Sequence, residues 1–169
     1  IAHSMGGNIT RYAAMYGDAD LPPANRSPRP TWAGARHFGK VVLLGTPSEG
    51  SVLALRSLVE GFTIGGMNIN LPFVQNLSKF DLFTIPSVYQ LLPAPGTLRV
   101  TDENFEPISI DLYDPKEWTK YGWNAIDDKR FPAQFRLAER RAAPEFFASA
   151  LSRAERLHKA LAAGATSGG

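Results

Sequence analysis

The stretch Ala2-His3-Ser4-Met5-Gly6-Gly7 constrains this chain more than any other. A serine with small residues two positions before and two positions after it fits a sharp turn from strand into helix, the G-x-S-x-G pattern. Such a turn strains the backbone and exposes the serine Oγ above the sheet edge. It also leaves the Met5 N–H free to face an oxyanion, helped by the partial positive charge of the helix N-terminus. Ala2 stands where the pattern has its first glycine, and one methyl is nearly as small. Gly6 is expected to meet the second size demand, and Gly7 to let the helix approach the sheet. The bare pattern also fits a serine that only caps a helix, so its surroundings decide.

Those surroundings alternate helix and strand. Ile9, Tyr12, Ala13 and Tyr16 recur at helical spacing, which predicts a helix over 5–16 that buries this face and stops at Gly17. Residues 18–39, with LPPANRSPRP, read as a surface loop whose arginines are solvated rather than bound to an anionic partner. KVVLLG, residues 40–45, reads as a central parallel strand covered on both faces. A loop over 46–51 and a helix over 52–59 follow, giving the rhythm of an α/β protein. From 60 to 95 short helices joined by turns are expected. Residues 97–113 read as a hairpin around Asp102-Glu103-Asn104, and 114–131 as loop and short helix. Two helices are predicted over 132–143 and 144–163, with Pro144 in the first turn of the second. The tail ATSGG is expected to be disordered.

Composition narrows the function classes. The net charge of the 169 residues is only +2, and no long run of like charge occurs, so nucleic acid is not expected as a partner. The absence of cysteine excludes disulfides, cysteine nucleophiles and thiolate metal sites. The uncharged stretch 61–78 carries too many Asn, Gln and Pro residues for a transmembrane span. No metal or phosphate-binding motif appears, Gly65-Gly66 is too isolated to cradle a phosphate, and no cofactor is implied.

Other candidates for chemistry have simpler readings. His158 falls on an apolar stripe with Phe147, Leu151, Ala154 and Leu161, the setting of a packed histidine. His37 precedes a strand and so stands at the wrong end of a parallel sheet for catalysis. His3 points away from Ser4 if the pair is extended; it lines the pocket or packs behind the turn. Asp111 and Asp114 read as turn or helix-cap residues, Asp102 and Glu103 as an exposed hairpin tip, and 127–130 as a mixed charged turn. Trp118, Tyr121 and Trp123 are expected to pack a cap against the sheet.

IAHSMGGNITRY resembles the nucleophile elbow and following helix of α/β-hydrolase lipases, and VVLLGTPSEGS resembles the strand and loop after them. PSVYQLLP, IDLYDPKEW and the late RAERLHKAL are similar to the lecithin–cholesterol acyltransferase family. The resemblance implies a fragment of an α/β-hydrolase: a mostly parallel sheet with flanking helices and a cap insertion. It implies a partial core over 1–59, a cap over 60–131, helices returning to the core over 132–163, and a flexible tail over 164–169. Ser4 maps onto the nucleophile and Met5 onto an oxyanion donor through its backbone N–H. The substrate implied is a lipid or other ester, with interfacial membrane contact through the cap. In this fold the acid and then the histidine follow the serine on later strands, which 1–163 does not offer. The sequence is therefore expected to be an internal piece of a longer enzyme, inactive and aggregation-prone by itself. The alternative is a binding module that keeps the turn without the catalysis.

Overall fold

The computed structural model describes residues 1–63 and 76–163. Gly65-Gly66 and the 164–169 tail lie outside the described residues. The chain enters as β1 (Ala2–His3), turns at Ser4, and continues as α1 (Met5–Tyr16), closed by Gly17. A long loop with a 3-10 turn at Ala35–His37 leads to β2 (Leu43–Leu44). β1 and β2 are parallel, with Ala2 opposite Leu43 and His3 opposite Leu44. The pair is held by Ala2 N–H to Val42 O at 2.8 Å and Ser4 N–H to Leu44 O at 2.9 Å.

The expected rhythm is present, but the strand is short and open. Val42 is 47% exposed and Leu44 50%, so 40–45 is not covered on both faces among the described residues. The buried face of α1 also differs from its pattern. Ile9 is 61% exposed, while Gly7, Asn8, Met15 and Tyr16 are buried. The reason is local: Gly7 and Asn8 meet the loop after β2, and Met15 and Tyr16 meet the C-terminal helix, which turns Ile9 outward.

Beyond that loop come α2 (Val52–Glu60), α3 (Lys79–Phe83) and α4 (Pro86–Tyr89). Ser51 caps α2 by accepting from Leu53 N–H, and Ser78 and Asp81 form a reciprocal capping box on α3. β3 (Val100–Thr101) and β4 (Pro107–Ile108) form the expected antiparallel hairpin, shorter than its pattern. Asp114 caps α5 (Pro115–Lys120), and a second 3-10 turn spans Ala125–Asp127.

The two helices expected over 132–163 are instead a one-turn α6 (Phe131–Gln134) and a continuous 27-residue α7 (Leu137–Ala163). Pro144 lies inside α7, where a missing N–H and a ring clash cost about 3 kcal/mol. Packing outweighs that cost. Ala143, Phe147, Ala150, Leu151, Ala154, His158 and Leu161 form one unbroken buried stripe, while Pro144 faces solvent.

α7 is the spine of the molecule. Its middle closes an aromatic core in which the Phe83 ring stands 5.6 Å from Phe131, 5.6 Å from Phe146 and 5.9 Å from Phe147. Its end closes a second cluster, Met15 and Tyr16 against Ala160 and Leu161, with Tyr16 OH donating to Ala160 O at 2.9 Å. Trp118 is buried in the larger core, its Nε1–H donating to Leu112 O at 2.8 Å. Its ring meets Phe147 edge-on at 5.4 Å, so this aromatic group packs on α7 rather than on a sheet.

Candidate active site

Ser4 is the link between β1 and α1, and its backbone is strained. Its φ of 53° and ψ of −135° fall where residues other than glycine are rarely found. The parallel pairing of β1 with β2 draws the chain straight to Ser4, and the Gly7 N–H donates to Ser4 O at 3.0 Å to begin the helix at once. Ser4 is exposed and its side chain makes no capping bond. The cap reading of this serine therefore does not describe what the hydroxyl does. Met5 is the first residue of α1, where its N–H has no preceding helical carbonyl to bond.

The size demand of the turn is placed differently from the expectation. A Cβ at Gly6 would meet nothing within 4 Å. A Cβ at Gly7 would stand 1.9 Å from Thr46 Oγ1. The glycine that this turn requires is Gly7, because α1 lies directly against the loop after β2. Asn8, only 3% exposed, secures the same contact by donating from Nδ2 to Pro47 O at 3.0 Å.

That loop is also fastened on its other side. Ser51 N–H donates to Leu91 O at 2.7 Å, and Ala94 N–H to Glu49 O at 2.9 Å. Gly50, with φ of 80°, comes so close that a Cβ would lie 2.0 Å from Leu92 O. Between these fastenings lies a hollow of about 390 Å³ bordered by Ser4, Gly45 and Pro47. Its remaining walls are Leu53 and Ala54 of α2, the bridged residues Phe62 and Leu77, Leu82 of α3, Val88 of α4, and Leu91. Ser51 and Ser57 also border it. Ser4 thus opens onto a mainly apolar hollow, a setting that suits an ester with an alkyl chain.

No histidine lines this hollow. His3 is exposed, and its Nε2 lies 4.0 Å from where a Cβ of Gly45 would stand. His37 is exposed in the 3-10 turn, its Nε2 accepting from Arg36 Nε at 3.2 Å. His158 is packed, as its stripe suggests: 3% exposed and edge-on to Tyr113 at 6.2 Å, with its Nε2 lacking a hydrogen-bond partner. Burial lowers its pKa, Arg11 adds to the lowering, and the nearby backbone of Leu92 and Gln90 opposes it.

The acidic candidates are local devices. Asp111 accepts from Tyr113 N–H at 2.8 Å, Asp114 from Lys116 N–H at 2.9 Å, and Asp102 from the N–H groups of Asn104 and Glu106. Asp128 binds Lys79 at 2.6 Å and Arg130 at 2.8 Å, so its carboxyl is held well below the usual range, chiefly by Arg130. This ion pair joins α3 to the charged turn, a link that the sequence pattern did not signal. Among the described residues no group of three or more His, Asp or Glu could hold a metal ion, and no helix is long and apolar enough to cross a membrane.

No curated protein and no solved structure matches the chain. The family signature of lecithin:cholesterol acyltransferase matches residues 1–129, from β1 through the second 3-10 turn. α6 and α7 lie beyond that span. With three quarters of its length in the match, the chain belongs to the lecithin:cholesterol acyltransferase family.

Proposed function

We propose that Ser4 is the nucleophile of a serine-dependent lipid acyl hydrolase or O-acyltransferase. Membership of this family supports lipid acyl chemistry in the broad sense. The observation that carries the finer reading is the strained, exposed Ser4 between β1 and α1, at the border of an apolar hollow. In this reading the chain is part of an α/β-hydrolase core over 1–59, with a cap over 60–131 that meets a membrane interface.

Ser4 Oγ attacks the ester carbonyl carbon and gives its proton to a histidine base outside these residues. The carbonyl oxygen becomes an oxyanion, which the Met5 N–H stabilises together with the N-terminal end of α1. The intermediate expels the alcohol, which takes up the proton, and leaves an acyl-Ser4 ester. Water or an acceptor alcohol then attacks that ester, gives a proton to the base, and frees Ser4. The alkyl chain lies along Leu53, Phe62, Leu82 and Val88.

The test is labelling of the intact protein by a fluorophosphonate probe. Labelling is expected in the native protein and lost in Ser4→Ala. Equal labelling of both would remove Ser4 from this role. A second reading, a lipid- or partner-binding module without catalysis, is favoured by one fact: no histidine borders the hollow. Failure of the native intact protein to label at all, with lipid binding retained, would support it.

A further inference from the structure

Charge is unevenly spread along this chain. Between Leu21 and Ser48 stand Arg26, Arg29, Arg36 and Lys40, and no Asp or Glu. This segment alone carries +4 against +2 for the whole chain, so the remainder is net −2. All four cations are exposed, and among the described residues none of them is in an ion pair.

The segment is not a loose loop. Arg153 binds Asp20 at 3.1 Å and Arg156 donates to Pro22 O at 3.3 Å, which ties its start to α7. Its middle is tied to α1, where Met15 O accepts from both Thr31 N–H at 3.0 Å and Trp32 N–H at 2.8 Å. Between these ties Trp32 is held at φ of 55°, an uncommon conformation for a bulky residue, yet its side chain is 48% exposed. Strain that leaves about half of a large aromatic residue in solvent points to a task outside the fold. Trp32 and Val41 line one apolar hollow, which sets the tryptophan beside the residue that follows Lys40. Phe38 is also exposed.

Unpaired cations interleaved with exposed Trp and Phe suit one surface above others, an anionic lipid bilayer. Arg and Lys meet its headgroups, and the aromatic rings settle at the interface. Nucleic acid would use the cations but leave the apolar side chains exposed. We propose that residues 21–40 form a docking surface for anionic membranes. This surface is separate from the cap contact proposed above and does not depend on Ser4 being a nucleophile.

Flotation of the intact protein with phosphatidylcholine vesicles, with and without phosphatidylserine, tests it. Binding is expected to be tighter with phosphatidylserine, and the excess is expected to be lost at about 1 M salt, where the screening length is about 3 Å. Each cation near such a surface is worth about fivefold in partitioning, so Arg26→Glu with Arg29→Glu should weaken binding by at least about twentyfold. Arg136→Glu with Arg141→Glu makes the same change in net charge at exposed positions outside both this segment and the 60–131 cap, and should leave binding nearly intact. Trp32→Gly relieves the backbone and should weaken binding while circular dichroism is unchanged. Equal binding to both vesicle types would overturn the proposal. So would equal loss in the two charge pairs, or binding of duplex DNA in place of vesicles.

Discussion

At the scale of single residues, two side chains carry consequences that can be measured. Gly7 has Thr46 Oγ1 where a Cβ would go, and Gly6 has open space. Gly7→Ala is therefore expected to destabilise the fold by about 1–3 kcal/mol through overpacking, and Gly6→Ala to be neutral or slightly stabilising. Urea denaturation of the two variants checks the contrast. His158 supplies a pH dependence. Its folded pKa is lowered by burial from an ordinary value of 6.5, so near that pH the unfolded chain binds the proton more readily than the folded one. The stability that this group contributes is present above 6.5 and lost as pH falls below it toward the folded pKa. Denaturation midpoints measured between about pH 5 and 8 should fall on the acid side in the native protein, and His158→Gln should flatten that fall.

At the scale of elements, α7 sets the terms. Pro144 faces solvent inside an otherwise regular helix, and Pro144→Ala is expected to raise stability by about 1–3 kcal/mol, read from thermal and urea unfolding. This helix also shows what was legible in the sequence. The stripe Phe147, Leu151, Ala154, His158, Leu161 was readable as a buried face, because spacing alone determines it. The break expected at Pro144 is absent, because the long buried stripe on either side of it outweighs the local preference of proline. α1 divides in the same way. Its bounds and its Gly17 stop follow from local chemistry, but its buried face follows from the 46–50 loop and α7, which lie distant in sequence. At the candidate site the turn at Ser4 was legible. The close approach at Gly7 was legible too, but not that Thr46 is the neighbour there, that Gly6 faces open space, or that α2, α3 and α4 form the hollow.

At the scale of the whole molecule, the β1–β2 pair matters most. Val41, Val42, Leu43 and Leu44 are exposed on a two-stranded pair, which is an aggregation hazard. The 169-residue chain alone is expected to aggregate and to hydrolyse no ester above a Ser4→Ala control. Light scattering and a turnover assay check the two parts, and hydrolysis above that control would refute the second. The loop over 45–51 carries a last implication. It is bonded to α1 through Asn8 and Pro47 and to the 91–94 segment through Ser51 and Glu49, with Gly50 packed closely against Leu92. It is therefore no hinge but a rivet. In the function proposed above, a lipid that displaced the 91–94 segment would therefore also pull, through this loop, on α1 just after the turn that holds Ser4.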